Sequence, residues 1–196
     1  SRLLRIPLLL VLVLALALGA VACGDDDDDA EATTEAEATE LVLTGESTTL
    51  ALDADTATIL TDNGVEVAPV DPATAGDDGI AFPITGGTVV AESLAGTIEH
   101  SGGLVFSAGG TELEVTDFVI NTTDGTLTAT AGGDEIPLLD VDLTALERSD
   151  DMGTIVLEGI STTLSAEAAV AMNDTFGVDL FEEGIPIGTV TVRATA

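Results

Sequence analysis

The sequence predicts an all-β domain over residues 41–196, an antiparallel β-sandwich or barrel-like fold with two short helices. Three observations carry this. Apolar and polar residues alternate with period 2 in several runs, the pattern of strands with one buried and one wet face. Glycine pairs recur between those runs at the spacing of strand connections. Thr is abundant beside Val, which favours strands, and aromatics are few: five Phe, no Trp and no Tyr. The 156 residues are the size of one domain, and its core must be built from Val, Leu, Ile and Ala.

The strands read as follows. Leu104-Val105-Phe106-Ser107-Ala108 turns Leu104, Phe106 and Ala108 to one side. Thr111-Glu112-Leu113-Glu114-Val115 alternates, as do Thr126 to Ala131 and Thr189 to Ala194. Parity breaks at Asp117-Phe118, where a β-bulge returns Phe118 to the inside. Gly86-Gly87, Ser101-Gly102-Gly103, Gly109-Gly110, Asp124-Gly125 and Gly132-Gly133 are read as hairpin turns.

Two segments depart from the strand pattern and match one another. Ser47-Thr48-Thr49-Leu50 leads into Asp53 and on to Gly64; Ser161-Thr162-Thr163-Leu164 leads into Ser165 and on to Gly177. Each reads as strand, short helix, glycine. Asp53 and Ser165 are N-cap residues, and Gly64 and Gly177 fall past the helix ends. The helices are expected over roughly 54–62 and 166–174. One local unit used twice explains the likeness better than a duplication, because the segments between do not align.

At this point the residues resemble a known family. Gly96-Thr97-Ile98-Glu99-His100-Ser101-Gly102-Gly103-Leu104, followed by Val115 to Ile120, is similar to the middle of HtaA-type domains. Leu164 to Phe176 resembles their C-terminal part. The resemblance spans about residues 80–195 and rests on Gly, Leu and Thr patterns. It implies a mostly β surface module of actinobacteria and, in that family, haem bound through a tyrosine. This chain has no tyrosine. Haem binding would therefore need a non-tyrosine site, and His100 is the candidate because it lies in the resembling stretch.

The first 22 residues read as a signal peptide: Arg2 and Arg5, an aliphatic run from Leu8 to Leu18, then Gly19-Ala20-Val21-Ala22. The residue that follows, Cys23, is the one cysteine in the chain. The junction resembles the lipobox of bacterial lipoproteins. That resemblance implies cleavage before Cys23, lipid (palmitate) attachment to its sulfur, and a membrane partner through that anchor. The expected location is the extracytoplasmic face of the cell membrane. With Cys23 so used, no thiol remains for a disulfide, a nucleophile or a metal.

Residues 23–40 hold nine acids, no base and no large apolar group, the composition of a disordered acidic tether. Eighteen extended residues reach about 60 Å. Beyond the tether, 27 acids face two arginines, Arg148 and Arg193, a net charge of −25. This excludes nucleic acid as a partner and favours cations or basic ligands.

Little here suggests catalysis. His100 is the sole histidine and no Gly-x-Ser-x-Gly elbow accompanies it. Asp150-Asp151 and Glu182-Glu183 are pairs expected by chance in so acidic a chain. The expectation is no catalytic residue, no dedicated metal site, and His100 as exposed surface at a turn. Met152 and Met172 could ligate haem in principle, but Met172, on the second helix, is expected in the core. The sequence thus points to a lipid-anchored cell-surface binding or envelope-structural module. The alternatives are an acidic cation-binding surface protein and a haem-binding, iron-acquisition module.

Overall fold

The computed structural model describes residues 38–196. The signal and tether readings, with Cys23 and most of the acidic run, lie outside the described residues. Thirteen strands and two helices follow. They are β1 (Glu40–Val42), β2 (Gly45–Leu52), α1 (Ala54–Asp62), β3 (Glu66–Val70), β4 (Thr74–Gly76), β5 (Gly79–Val90), β6 (Gly96–His100) and β7 (Gly103–Ala108). After them come β8 (Thr111–Asn121), β9 (Thr126–Ala131), β10 (Asp134–Asp142), β11 (Glu147–Asp151), β12 (Thr154–Leu164), α2 (Ala166–Phe176) and β13 (Pro186–Thr195).

Eight of the strands close into an antiparallel barrel. The hydrogen-bonded circuit runs β5, β2, β13, β12, β10, β9, β8, β6 and back to β5. Closure removes the free edges that an open sheet would leave. The fold is all-β, and of the two expected architectures the barrel is the one formed. The remaining strands extend it: β1 and β4 pair with β5, β11 pairs with β12, and β7 with β3 splays from the N-terminal half of β8.

Alternation fills the interior. Val190, Val192 and Ala194 of β13, Leu127 and Ala129 of β9, and Phe82 and Ile84 of β5 are buried. The bulge at Asp117-Phe118 is present: the β8–β9 register shifts between Thr116 and Val119, and Asp117 has φ +53°. It places Phe118 inside, edge-to-face with Phe82 at 5.0 Å.

Two of the expected turns are something else. Gly86 and Gly87 lie within β5, not at a hairpin. Gly87 has φ +119°, and a Cβ there would stand 2.2 Å from the Thr97 carbonyl oxygen. This is close backbone approach between β5 and β6, which also leaves only glycine acceptable in the interior of a strand. Ser101-Gly102 does not join a hairpin either. β6 and β7 both pair with the same side of β8, so the segment is a step where one line of chain leaves the barrel for the splayed sheet.

Both helices form where expected, and α2 runs two residues longer than read. The Asp53 carboxylate accepts from the N–H groups of Asp55 and Thr56, and Ser165 Oγ from that of Ala168. Gly177 ends α2 in the left-handed conformation at φ 66°.

Candidate functional site

The site grows from the mouth of the barrel. α1 follows β2 and α2 follows β12, so both helices stand at the same end. α1 turns Thr56 and Leu60 inward, four residues apart; α2 turns Ala168, Ala169 and Met172 inward. A cavity of about 160 Å³ remains there. Its walls are Leu50, Leu60, Val67, Leu104, Phe106, Leu138, Leu139, Leu164, Met172, Leu180, Phe181 and Ile187, with other aliphatic residues and one hydroxyl residue, Thr56. Even that hydroxyl is occupied, because it donates to the Pro186 carbonyl. At the rim Leu52 and Ile59 are 38% and 43% exposed.

One wall depends on a residue that the sequence reading missed. Asn173 Oδ1 accepts from the N–H groups of Leu180 and Phe181, each at 3.0 Å, and its Nδ2 donates to the Phe181 carbonyl at 2.7 Å. One amide thereby fixes the irregular segment after α2 so that Leu180 and Phe181 face the cavity. No sequence signal marks an amide in the last turn of a helix as a loop clamp.

Deeper in the barrel a second apolar cavity of about 40 Å³ shares Leu50, Leu104, Leu138 and Leu139 with the first. His100 lies on its wall. This corrects the reading of His100 as exposed turn surface: it is 6% exposed and inside the barrel. The register explains why. On β5, Phe82 faces Thr48 of β2 and Ile84 faces His100 of β6. Phe82 and Ile84 are two apart and share the inner face, so Thr48 and His100 do too.

The imidazole is fully engaged. Nδ1 is 3.0 Å from the Phe118 carbonyl oxygen and Nε2 is 2.6 Å from Thr48 Oγ1. A carbonyl only accepts, so Nδ1 carries the proton. Nε2 is then the acceptor and the Thr48 hydroxyl donates to it. Burial lowers the pKa from 6.5 to about 4, against the Phe118 carbonyl, which favours the charged form. His100 is therefore neutral near pH 7.

The other singled-out residues disperse. Asp150 pairs with Arg148 on the exposed strand β11, and Glu182 and Glu183 lie on the surface after Phe181. Met152 is 99% exposed at the β11–β12 turn, whereas Met172 is buried as expected. Among the described residues no group of three or more His, Cys, Asp or Glu is placed to hold a metal ion. None of the described helices is long and apolar enough to cross a membrane.

No family model and no curated protein matches the chain. Solved structures do. The C-terminal domain of HtaA from Corynebacterium glutamicum superposes with TM-score 0.59 at 18% identity, over 79% of this chain and 98% of that one. The N-terminal domain of the same protein gives 0.56 at 18%, over 81% and 98%. The heme binding protein HtaB of that organism gives 0.48 at 14%, over 80% and 96%. The domain of residues 38–196 is a distant HtaA-like domain in its fold. At this identity the likeness concerns the fold alone.

Haem, which the resemblance implies, can be tested on the residues present. Ligation needs a free donor atom, and propionates need cations or N–H groups. The chain has no tyrosine. Both His100 nitrogens are already bonded. At the helix starts, Asp53 takes the N–H groups of Asp55 and Thr56, and Ser165 takes that of Ala168. The Met172 thioether is the one donor left on the cavity wall. With both arginines of the described residues engaged elsewhere, no cation among those residues stands beside it for the propionates, and the site in this conformation does not fit haem.

Proposed function

We propose that this domain is a non-catalytic binding module for an apolar small molecule, seated in the cavity between the barrel mouth and helices α1 and α2. The observation that carries the reading is the cavity itself. An eight-stranded barrel is just wide enough to be filled by its own side chains or to hold one small ligand. Here the filling stops short. An apolar cavity of about 150 Å³ stays dry and accepts a benzene-sized guest, and this one measures about 160 Å³. Leu52 and Ile59, exposed at its rim, give the apolar surface continuity with the outside.

On this proposal the module is carried at the cell envelope by a lipid on Cys23, as the lipobox resemblance implies, with the acidic tether as spacer. Haem is the rival ligand, supported by the fold likeness together with the family resemblance, and opposed by the donor set.

The test compares two ligands on wild type and on Leu180→Phe, which adds volume at a half-buried wall position. With 1-octanol the melting temperature of wild type rises with ligand concentration, and that of Leu180→Phe does not. Haem gives a broad, unsaturated absorbance change. A sharp, saturable Soret band at one equivalent would replace the proposal with the haem reading.

A further inference from the structure

Three residues of the cavity wall face a second concavity as well. Leu52, Leu60 and Val67 also line an open groove between α1 and β3. The groove's remaining walls include Ala57, Thr61, Gly64 and Val65, and Glu66. Glu66 is its one charged lining residue. A chain seated in the cavity with its polar end outward would bring that end to Glu66.

The surroundings push in the same direction. The two arginines of the described residues stand at the far end of the barrel. Arg193 is six residues from Ile187 along β13, about 20 Å at the rise of a strand. Arg148 faces Leu157, seven residues along β12 from Leu164 at the cavity. Both are also engaged, Arg148 with Asp150 and the Ala91 carbonyl, and Arg193 with Glu46. Helix N-termini are the ordinary backbone sites for an anion. Here Asp53 caps α1 with its own carboxylate, Asp55 sits in that first turn, and Glu167 sits in the first turn of α2. Among the described residues no cationic side chain lines the cavity or the groove, and Glu66 offers a carboxylate to a positive head group.

We infer that the ligand of this cavity is a cationic amphiphile of the alkylamine class, its aliphatic chain in the cavity and its ammonium in the groove beside Glu66. This rests on the proposed apolar-ligand reading and adds the sign of the head group to it. Carboxylate-headed chains are selected against by the same arrangement. Burial of the aliphatic chain contributes equally whatever the head group, so three ligands of equal chain length isolate the charge.

The experiment titrates octylammonium, 1-octanol and octanoate into the domain at pH 7.5 and low salt, by calorimetry. The expected order is octylammonium tightest, octanol next and octanoate at least tenfold weaker than octylammonium, with the spread narrowing in molar salt. Glu66→Lys should reverse the order of the two ions and leave octanol unchanged. Glu158→Lys, which changes the net charge equally from an exposed position on β12 six residues from the cavity wall, should leave the order intact. If octanol binds but octylammonium does no better, or both lysine variants act alike, the inference fails while the cavity reading stands. If none of the three binds, the cavity reading itself fails, and the inference with it.

Discussion

The hydroxyl of Thr48 donates to Nε2 of His100 at 2.6 Å inside the barrel, completing the neutral Nδ1–H tautomer that the Phe118 carbonyl fixes on the other nitrogen. Thr48→Val keeps the shape of the side chain and removes the donor. Nε2 is then left without a partner in an apolar cavity, a loss of about 1–3 kcal/mol. Chemical denaturation of the variant measures it. An unchanged midpoint would mean that water or a ligand supplies the donor.

Stability should also depend on pH through His100. Its folded pKa, about 4, lies below the unfolded value of 6.5 because burial disfavours the imidazolium. Between those values the unfolded chain binds a proton that the folded one does not. The contribution is therefore fully present above pH 6.5 and is lost as pH falls toward 4. At about 1.4 kcal/mol per pKa unit the loss is roughly 3 kcal/mol. Wild type and His100→Gln are compared by denaturation from pH 7 to 4. The wild type should show the steeper fall; parallel curves would remove His100 from the account.

Asn173→Ala should cost about 1–3 kcal/mol, since it removes three hydrogen bonds and strands backbone groups of Leu180 and Phe181. It should weaken ligand binding by more than it lowers the melting temperature, because the wall loses its anchor. Equal wild-type affinity in the variant would show that Leu180 and Phe181 do not shape the site.

The sequence made the half-buried strands readable, because Leu127-Thr128-Ala129 or Val190-Thr191-Val192 shows both faces at once. The helix caps were equally readable, since Asp53 and Ser165 act through local chemistry. Other parts depend on partners far along the chain. β11 is exposed at every residue, so Glu147 to Asp151 carries no alternation to read. Gly86-Gly87 looks like a turn because glycine permits both a turn and a tight backbone approach, and only the β6 neighbour decides. His100 looked exposed beside two glycines; its burial follows from facing Ile84 across the β5–β6 pair. The cavity was the least legible feature. Its wall joins Leu50, Leu104, Leu138 and Phe181, residues far apart in the chain that meet only when the barrel closes.

Glycine positions give a sharp contrast. Gly87→Ala forces a Cβ to within 2.2 Å of the Thr97 carbonyl oxygen, whereas Gly132→Ala meets nothing within 4 Å and bears only the strain of φ +62°. The first should prevent stable folding or cost several times the second, which is expected near 1 kcal/mol. Thermal melting ranks them, and equal losses would contradict the close packing of β5 on β6.

The lipid-anchor reading has its own test. Cys23→Ser should release the protein from the membrane fraction, since the residue that would carry the lipid is gone. Retention through the N-terminal segment would point instead to an uncleaved anchor.

The account's central claim is the apolar ligand cavity, and calorimetry of 1-octanol tests it most directly. Wild type should bind one equivalent, saturably, with a negative heat-capacity change as apolar surface is buried. Leu180→Phe should abolish that binding while keeping its melting temperature. Binding that is absent in wild type, or equal in the two proteins, would contradict the claim.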